Sequence, residues 1–397
     1  MSRLWDKGTP LDQRVLQFTA GEDIALDERL VAYDVRASLA HAEMLQAQGL
    51  LAAADATAIC AGLMALGAAH ARGEWRIELA DEDGQTALEK RLTARIGAAG
   101  ARIHLGRSRN DQVLTALRLY LRDALGTLAA GAEGAAVALD RLSHRQGTVC
   151  LPGYTHMQQA MPSSVALWAG GFAAELRDDV QGLRAVQRRA GKNPLGSAAG
   201  FGAPGLPLDR DATTRALGFD CTHEPVTAVQ LSRGKAEAQL LFELTLLMQD
   251  LGRLAADLVL FYTQEFAFVE LAEAYTTGSS IMPQKRNPDV FELLRGRGAT
   301  ALACLIEALA LYAKLPSGYQ RDLQLLKAPL FRGIDLCQQS LEIVVPALDA
   351  LKFLPERVKI DPAVHAASEA YALVVKEGIP FRDAYQRIAA RIAAKRT

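Results

Sequence analysis

The sequence predicts an all-α protein. Apolar residues recur at helical spacing over most of the 397 residues, strand-like alternation is almost absent, and Ala, Leu, Arg and Glu dominate the periodic segments.

Taken in order, residues 26–48, 55–72 and 85–97 read as separate amphipathic helices. From Asp111 to Gln146 apolar positions recur with few breakers, although Gly131 and Gly134 weaken the middle. Segment 162–190 ends near Gly191 and Asn193-Pro194, a helix stop. Segment 230–272 carries Leu240, Leu241, Leu244, Leu247, Leu251, Leu254 and Leu258 at i, i+3, i+4 spacing. The next, 289–314, starts just after Asn287-Pro288, and 323–351 is expected to bend or break near Pro329, Gly333 and Pro346. The expected organisation has three parts: a small helical domain over 1–106, a long-helix domain over 107–354 and a short helical domain over 355–397. Helices of about 30–40 residues extend roughly 45–60 Å, more than one small domain covers. Their apolar faces need partners, some of them expected in other subunits, with a bundle complete within one chain as the alternative.

Composition sets further bounds. A hydrophobic content of 50% suits a large core, and a formal net charge of −1 speaks against nucleic-acid or membrane-surface partners. The five cysteines are scattered without a C-x-x-C pair, the pattern of reduced thiols. Residues 1–10 lack an apolar signal-peptide core, and the greasy stretch 299–315 is interrupted by Glu307 and Lys314. A cytoplasmic protein is expected. Gly196-Ser197-Ala198-Ala199-Gly200-Phe201-Gly202 is glycine-rich but follows a helix, not a strand, and Ala236 follows Gly234-Lys235 where a phosphate loop needs Ser or Thr. The seven histidines have no metal-ligand spacing, so neither metal nor cofactor is expected.

The most informative stretch runs Gly278-Ser279-Ser280-Ile281-Met282-Pro283-Gln284-Lys285-Arg286-Asn287-Pro288-Asp289. Glycine frees the backbone, two prolines stop regular structure, and Lys285, Arg286 and Asn287 supply donors and charge beside two hydroxyls. On residue types alone this suits either a carboxylate cradle or a solvated polar loop. The pattern resembles the signature loop of the fumarase/aspartase superfamily. Three further segments, His104 to Val113, Pro152 to Gln158 and Tyr319 to Gln324, resemble the argininosuccinate lyase family in the same order, as does the opening Ser2-Arg3-Leu4-Trp5. The resemblance extends from residue 2 to about residue 335.

The resemblance implies β-elimination of a small molecule, argininosuccinate, to arginine and fumarate. It also implies a homotetramer with a central helical bundle and active sites built from more than one chain. Removing a carbon-bound proton beside a carboxylate builds a dianion, so fixed donors and a cation are needed; one such donor contributes about 3–4 kcal/mol. By resemblance Ser279 is the general base, Lys285 stabilises its alkoxide, His156 acts on the leaving nitrogen and Glu292 orients that histidine. Arg107, Ser108, Arg109 and Asn110 open a helix near Asp111, where backbone donors favour carboxylates. Asn110, Thr155, Asn287, Tyr319, Gln324 and Lys327 are implied to contact substrate, with Asp27 nearby; the glycine-rich loop is implied to line the site.

The chain also departs from the family pattern. Gln85 stands where the family has histidine, Glu224-Pro225-Val226-Thr227-Ala228 replaces an Asn-Ser-x-Asp segment, and Leu325-Leu326 replaces an acidic pair. Lys7-Gly8-Thr9 replaces Gly-Arg-Phe, and the region beyond Leu354 is short. The competing readings are a sister lyase acting on adenylosuccinate or a modified argininosuccinate, and a non-catalytic crystallin-like structural protein.

Overall fold

The computed structural model describes residues 12–396. The opening Ser2-Arg3-Leu4-Trp5 and Lys7-Gly8-Thr9 lie outside them. The helices in chain order are α1 (Gln13–Ala20), α2 (Asp23–Asp27), α3 (Val31–Ala47), α4 (Ala53–Ala71), α5 (Gly84–Ile96), α6 (Ala98–Ala101) and α7 (Arg109–Gln146). Then come α8 (Val165–Ala190), α9 (Arg210–Leu217), α10 (Val226–Leu231), α11 (Lys235–Phe261), α12 (Asp289–Tyr312), α13 (Lys327–Asp349), α14 (Ala366–Glu377) and α15 (Phe381–Arg396). The all-α expectation holds.

The differences are local. Short strands occur, the largest pair being β1 (Cys150–Thr155) and β2 (Gln158–Ser164), an antiparallel hairpin where no strand was expected. α11 stops at Phe261 and does not reach residue 272, because the apolar pattern passes into a strand over Val269–Leu271. α13 is continuous over Lys327–Asp349 and not broken. Pro329 falls in its first turn, where an N–H has no helical partner to lose, and Ala350 N still bonds Pro346 O at 3.0 Å. Gly131 does not interrupt α7; a side chain there would meet Leu341 at 3.0 Å, so the glycine serves close packing.

The chain forms two compact units. The first comprises residues 12–129, 181–245 and 300–337. Its core joins α3, α4 and α5 through Leu45, Ile59, Leu63 and Leu92, with Ile103 beneath. By length and composition α4 could cross a membrane, an apolar stretch the sequence reading passed over; here Ala56, Ile59, Leu63 and Leu66 bury its inner face in that core. Asp83 caps α5 by accepting from Thr86 N at 2.7 Å, and Asp209 caps α9 from Ala212 N at 2.8 Å. A buried arginine on α7, Arg118, ties loop to helix, donating to Lys192 O (2.5 Å), Ser232 Oγ (2.6 Å) and His223 Nδ1 (2.9 Å).

The second unit comprises residues 130–180, 246–299 and 338–396. Trp168, Phe261, Phe268 and Phe353 form an aromatic cluster, fixed by Trp168 Nε1 donating to Asp257 Oδ2 at 2.9 Å. The strand over Leu351–Phe353 pairs antiparallel with Val269–Leu271. Gln146 at the end of α7 clips it from the other side: Nε2 donates to Phe353 O (2.9 Å) and Oε1 accepts from Phe353 N (2.8 Å).

Candidate active site

In the second unit the signature loop is closed at its neck. Thr277 N donates to Asn287 O at 3.1 Å, and Asn287 N returns a bond to Thr277 O at 2.8 Å. Thr277 Oγ1 also donates to Asp289 at the start of α12. Arg286 reaches back to Glu273 at 2.6 Å. Inside this ring Ser279 Oγ accepts from the backbone N–H of Met282 (3.2 Å) and Ile281 (3.4 Å). Two amide dipoles therefore converge on the one oxygen that a base role would make negative. Lys285 is exposed in the same ring and forms no ion pair among the described residues.

His156 stands at the tip of the β1–β2 hairpin. With Met157 it makes a two-residue turn whose backbone angles are φ 50° and φ 58°, the left-handed pairing that matches strand twist. Neither residue is glycine, so the turn carries conformational cost where a side chain is presented to solvent. His156 and the neighbouring Thr155 are exposed, and Glu292 is exposed in the first turn of α12. Within one chain no hydrogen bond joins His156 to Glu292 among the described residues.

The first unit holds a cavity of about 210 Å³ lined by Asp27, Arg109, Asn110, Tyr319, Gln324 and Lys327 among others. These come from distant parts of the sequence, and the structure brings them together. Lys327 Nζ, almost wholly buried, lies 2.5 Å from Oδ1 of both Asp27 and Asp23. Burial opposes its charge, yet the two carboxylates hold the ammonium above the usual lysine range. Arg109 reaches Asp83 Oδ2 at 3.0 Å and Glu82 Oε2 at 3.4 Å. Gln324 Nε2 and Arg321 Nη2 both donate to Thr19 O at 2.9 Å, and Arg233 sits 5.5 Å from the centre of the Tyr319 ring.

Of the substrate-binding residues expected in the first unit, two do not line the cavity. Arg107 turns inward, donates to Ser38 Oγ at 2.8 Å and is 8% exposed. Ser108 caps α7, its Oγ accepting from Asn110 N at 3.3 Å. The glycine-rich loop is likewise absent from the lining. It is held to α7 by Asp111, whose Oδ2 accepts from Gly196 N (3.0 Å) and Ala198 N (2.8 Å) while Oδ1 accepts from Ser108 N (2.9 Å). Burial lifts the Asp111 carboxyl to about 6 despite these bonds.

Asp23, Arg233 and Arg321 also line the cavity, unannounced by any sequence motif. For Asp23 a signal existed: it stands four residues before Asp27, one helical turn away on the same face. Gln85, at the family's histidine position, lines the cavity and donates to buried Asp34 at 2.7 Å. Asp34 is pushed well above the carboxylate range by burial and by Asp27.

The lyase family model matches residues 8–302 of this chain. The chain is 48% identical over 394 residues to an argininosuccinate lyase of Sorangium cellulosum, covering 99% of this chain and 91% of that one. It is 43% identical to the argininosuccinate lyase of Stenotrophomonas maltophilia, covering 98% and 90%. Among solved structures, an EDDS lyase in complex with formate has a TM-score of 0.81 at 25% identity, covering 97% of this chain and 77% of that one. A class II fumarase from Schistosoma mansoni shares the fold, with a TM-score of 0.79 at 18% identity and coverage of 98% and 91%. With the signature loop and the charged cavity both in place, the chain belongs to the lyase family and, within it, to the argininosuccinate lyases.

Proposed function

We propose that this chain cleaves argininosuccinate to arginine and fumarate by β-elimination, a carbon–nitrogen lyase reaction. The observation that carries the reading is Ser279 Oγ, held by two backbone N–H groups in a loop whose Lys285 is exposed and forms no ion pair among the described residues. A hydroxyl removes a carbon-bound proton only if its alkoxide is stabilised, and the amides of Ile281 and Met282 with the Lys285 ammonium supply that field. Loss of the proton places a second negative charge on the adjoining carboxylate, which Lys285 and Asn287 stabilise. His156 protonates the departing guanidinium nitrogen, and Glu292 orients its ring. Thr155 contacts substrate beside it. In the first unit Asn110, Arg109, Tyr319, Gln324 and Lys327 bind the substrate's charged ends, with Asp27 holding the lysine.

The working form is a homotetramer with each active site built from more than one chain. Two features support this. His156 and Glu292 have no partner in each other within one chain, and apolar side chains on the long helices are left open, among them Leu167 (69% exposed), Leu293 (65%) and Ile306 (58%). The enzyme acts in the cytoplasm.

The test is fumarate release followed by ultraviolet absorbance, with argininosuccinate and adenylosuccinate offered separately. Turnover of argininosuccinate is expected; turnover of the second alone overturns the reading.

A further inference from the structure

Arg118 is only 2% exposed, yet each acceptor it meets is neutral: a carbonyl (Lys192 O), a hydroxyl (Ser232 Oγ) and an imidazole nitrogen (His223 Nδ1). Its Nε has no partner among the described residues. Burial pulls the guanidinium down to about 10, so it is still a cation at neutral pH. Glu237 favours that charge, but its own buried Oε1 is without a partner and no ion pair joins the two among the described residues. Buried charges are ordinarily paired, because desolvating an ion without a counter-charge is costly. This guanidinium lacks its anion.

Beside it the first unit holds a second cavity, of about 320 Å³, at the lower end of the range for small-molecule sites. Arg118, His223 and Ser232 line it together with Arg189, Lys192 and Lys235, and no carboxylate is on its wall among the described residues. The four cations come from separate elements: the middle of α7, the end of α8, the short strand Lys192–Asn193 and the start of α11. Arg189 donates to the neutral Gln239 at 2.8 Å, and neither lysine forms an ion pair among the described residues. Lys235 and Ala236 also bring the first turn of α11 to the wall, where the helix dipole adds positive potential. His223 accepts from Arg118 through Nδ1, so its proton is on Nε2 and the ring is a further, neutral donor. This cavity shares no lining residue with the one that holds Lys327 and its aspartates.

We propose that this basic cavity is a second binding site, for a small molecule of the diphosphate class. Cations that approach from four elements suit tetrahedral groups with oxygens on every side, whereas a planar carboxylate is met along one edge. The space equals roughly ten waters at about 30 Å³ each, more than a single phosphate displaces. The site lies apart from the groups proposed for the elimination and takes a different class of ligand.

The experiment uses the assembled enzyme, isothermal titration calorimetry and three probes at matched ionic strength: pyrophosphate, inorganic phosphate and succinate. Pyrophosphate is expected to bind most tightly and succinate least. In the double variant Lys192→Gln, Lys235→Gln the altered side chains are half-buried and exposed, and the Lys192 carbonyl that holds Arg118 is kept. Its Kd for pyrophosphate should rise about 10- to 100-fold, the range for lost charge-assisted hydrogen bonds, while fumarate release is unchanged. Absence of pyrophosphate binding by the unsubstituted enzyme overturns the proposal. So does an equal Kd in the double variant, which places the anion elsewhere. Inorganic phosphate or succinate binding as tightly as pyrophosphate overturns the ligand class, and a parallel loss of fumarate release overturns the separation from the elimination site. If the double variant does not assemble, Arg189→Gln, at an exposed position, takes its place and is read in the same way.

Discussion

The backbone N–H of Met282 points at Ser279 Oγ across 3.2 Å, so the proposed base is held by the main chain of its own loop. Substituting a neighbour's side chain cannot remove that donor. Deleting the oxygen removes its acceptor. Ser279→Ala is expected to lower kcat by about 10²- to 10⁴-fold, the usual weight of a positioned base, while subunit assembly stays intact. Steady-state kinetics with size-exclusion chromatography checks this; near-normal turnover would remove Ser279 from the base role.

At the hairpin tip the side chain and the backbone conformation can be separated. His156 has φ 50°, a region asparagine tolerates better than most residues. His156→Asn should therefore keep the turn and lose the imidazole. Expected are a kcat lower by roughly 100-fold and an unchanged melting temperature. A parallel fall in melting temperature would instead assign His156 to the fold.

Gln146 satisfies both backbone groups of Phe353. Gln146→Leu leaves a partly buried N–H and C=O without partners, at a cost of about 2–4 kcal/mol. Urea unfolding measures it. A loss below about 0.5 kcal/mol would mean water replaces the amide.

His223 is 6% exposed, and burial with the nearby cations Arg118, Lys192 and Arg210 pushes it down to about 3. His41 is buried and also well below the histidine range, burial again leading. Each takes up its proton more readily when unfolded, so each contributes stability that is present above about pH 6.5 and is lost as pH falls towards the folded value. The expected slope is about 1.4 kcal/mol per pH unit per histidine between roughly pH 6 and pH 4. His223→Gln should flatten the slope by one proton. An unchanged slope in urea melts across that range would contradict this assignment.

What the sequence made legible follows from how local each signal is. α7 was readable because its apolar positions repeat over ten turns, and the signature loop because its residues are contiguous. The β1–β2 hairpin was not. Pro152 and Pro162 occupy facing positions in the pair, and Gly153 borders an irregular register, so the usual marks of a strand are missing. Its reversal falls on His156-Met157, which no turn composition announces. Asp23 was hidden for another reason: the lysine that gives it meaning lies at the far end of the first unit's sequence, and Asp27 is itself 300 residues from that lysine. Arg107, placed by motif among the substrate clamps, is instead drawn inward by Ser38, a contact no linear pattern encodes.

The paired backbone bonds between Thr277 and Asn287 make residues 278–286 a tethered flap with a fixed hinge line. With its two ends already joined by backbone bonds, the loop leaves fewer torsions for a visiting molecule to order. Lengthening the flap's tip would keep its feet planted while loosening its grip, which separates capture from chemistry in one small, replaceable part.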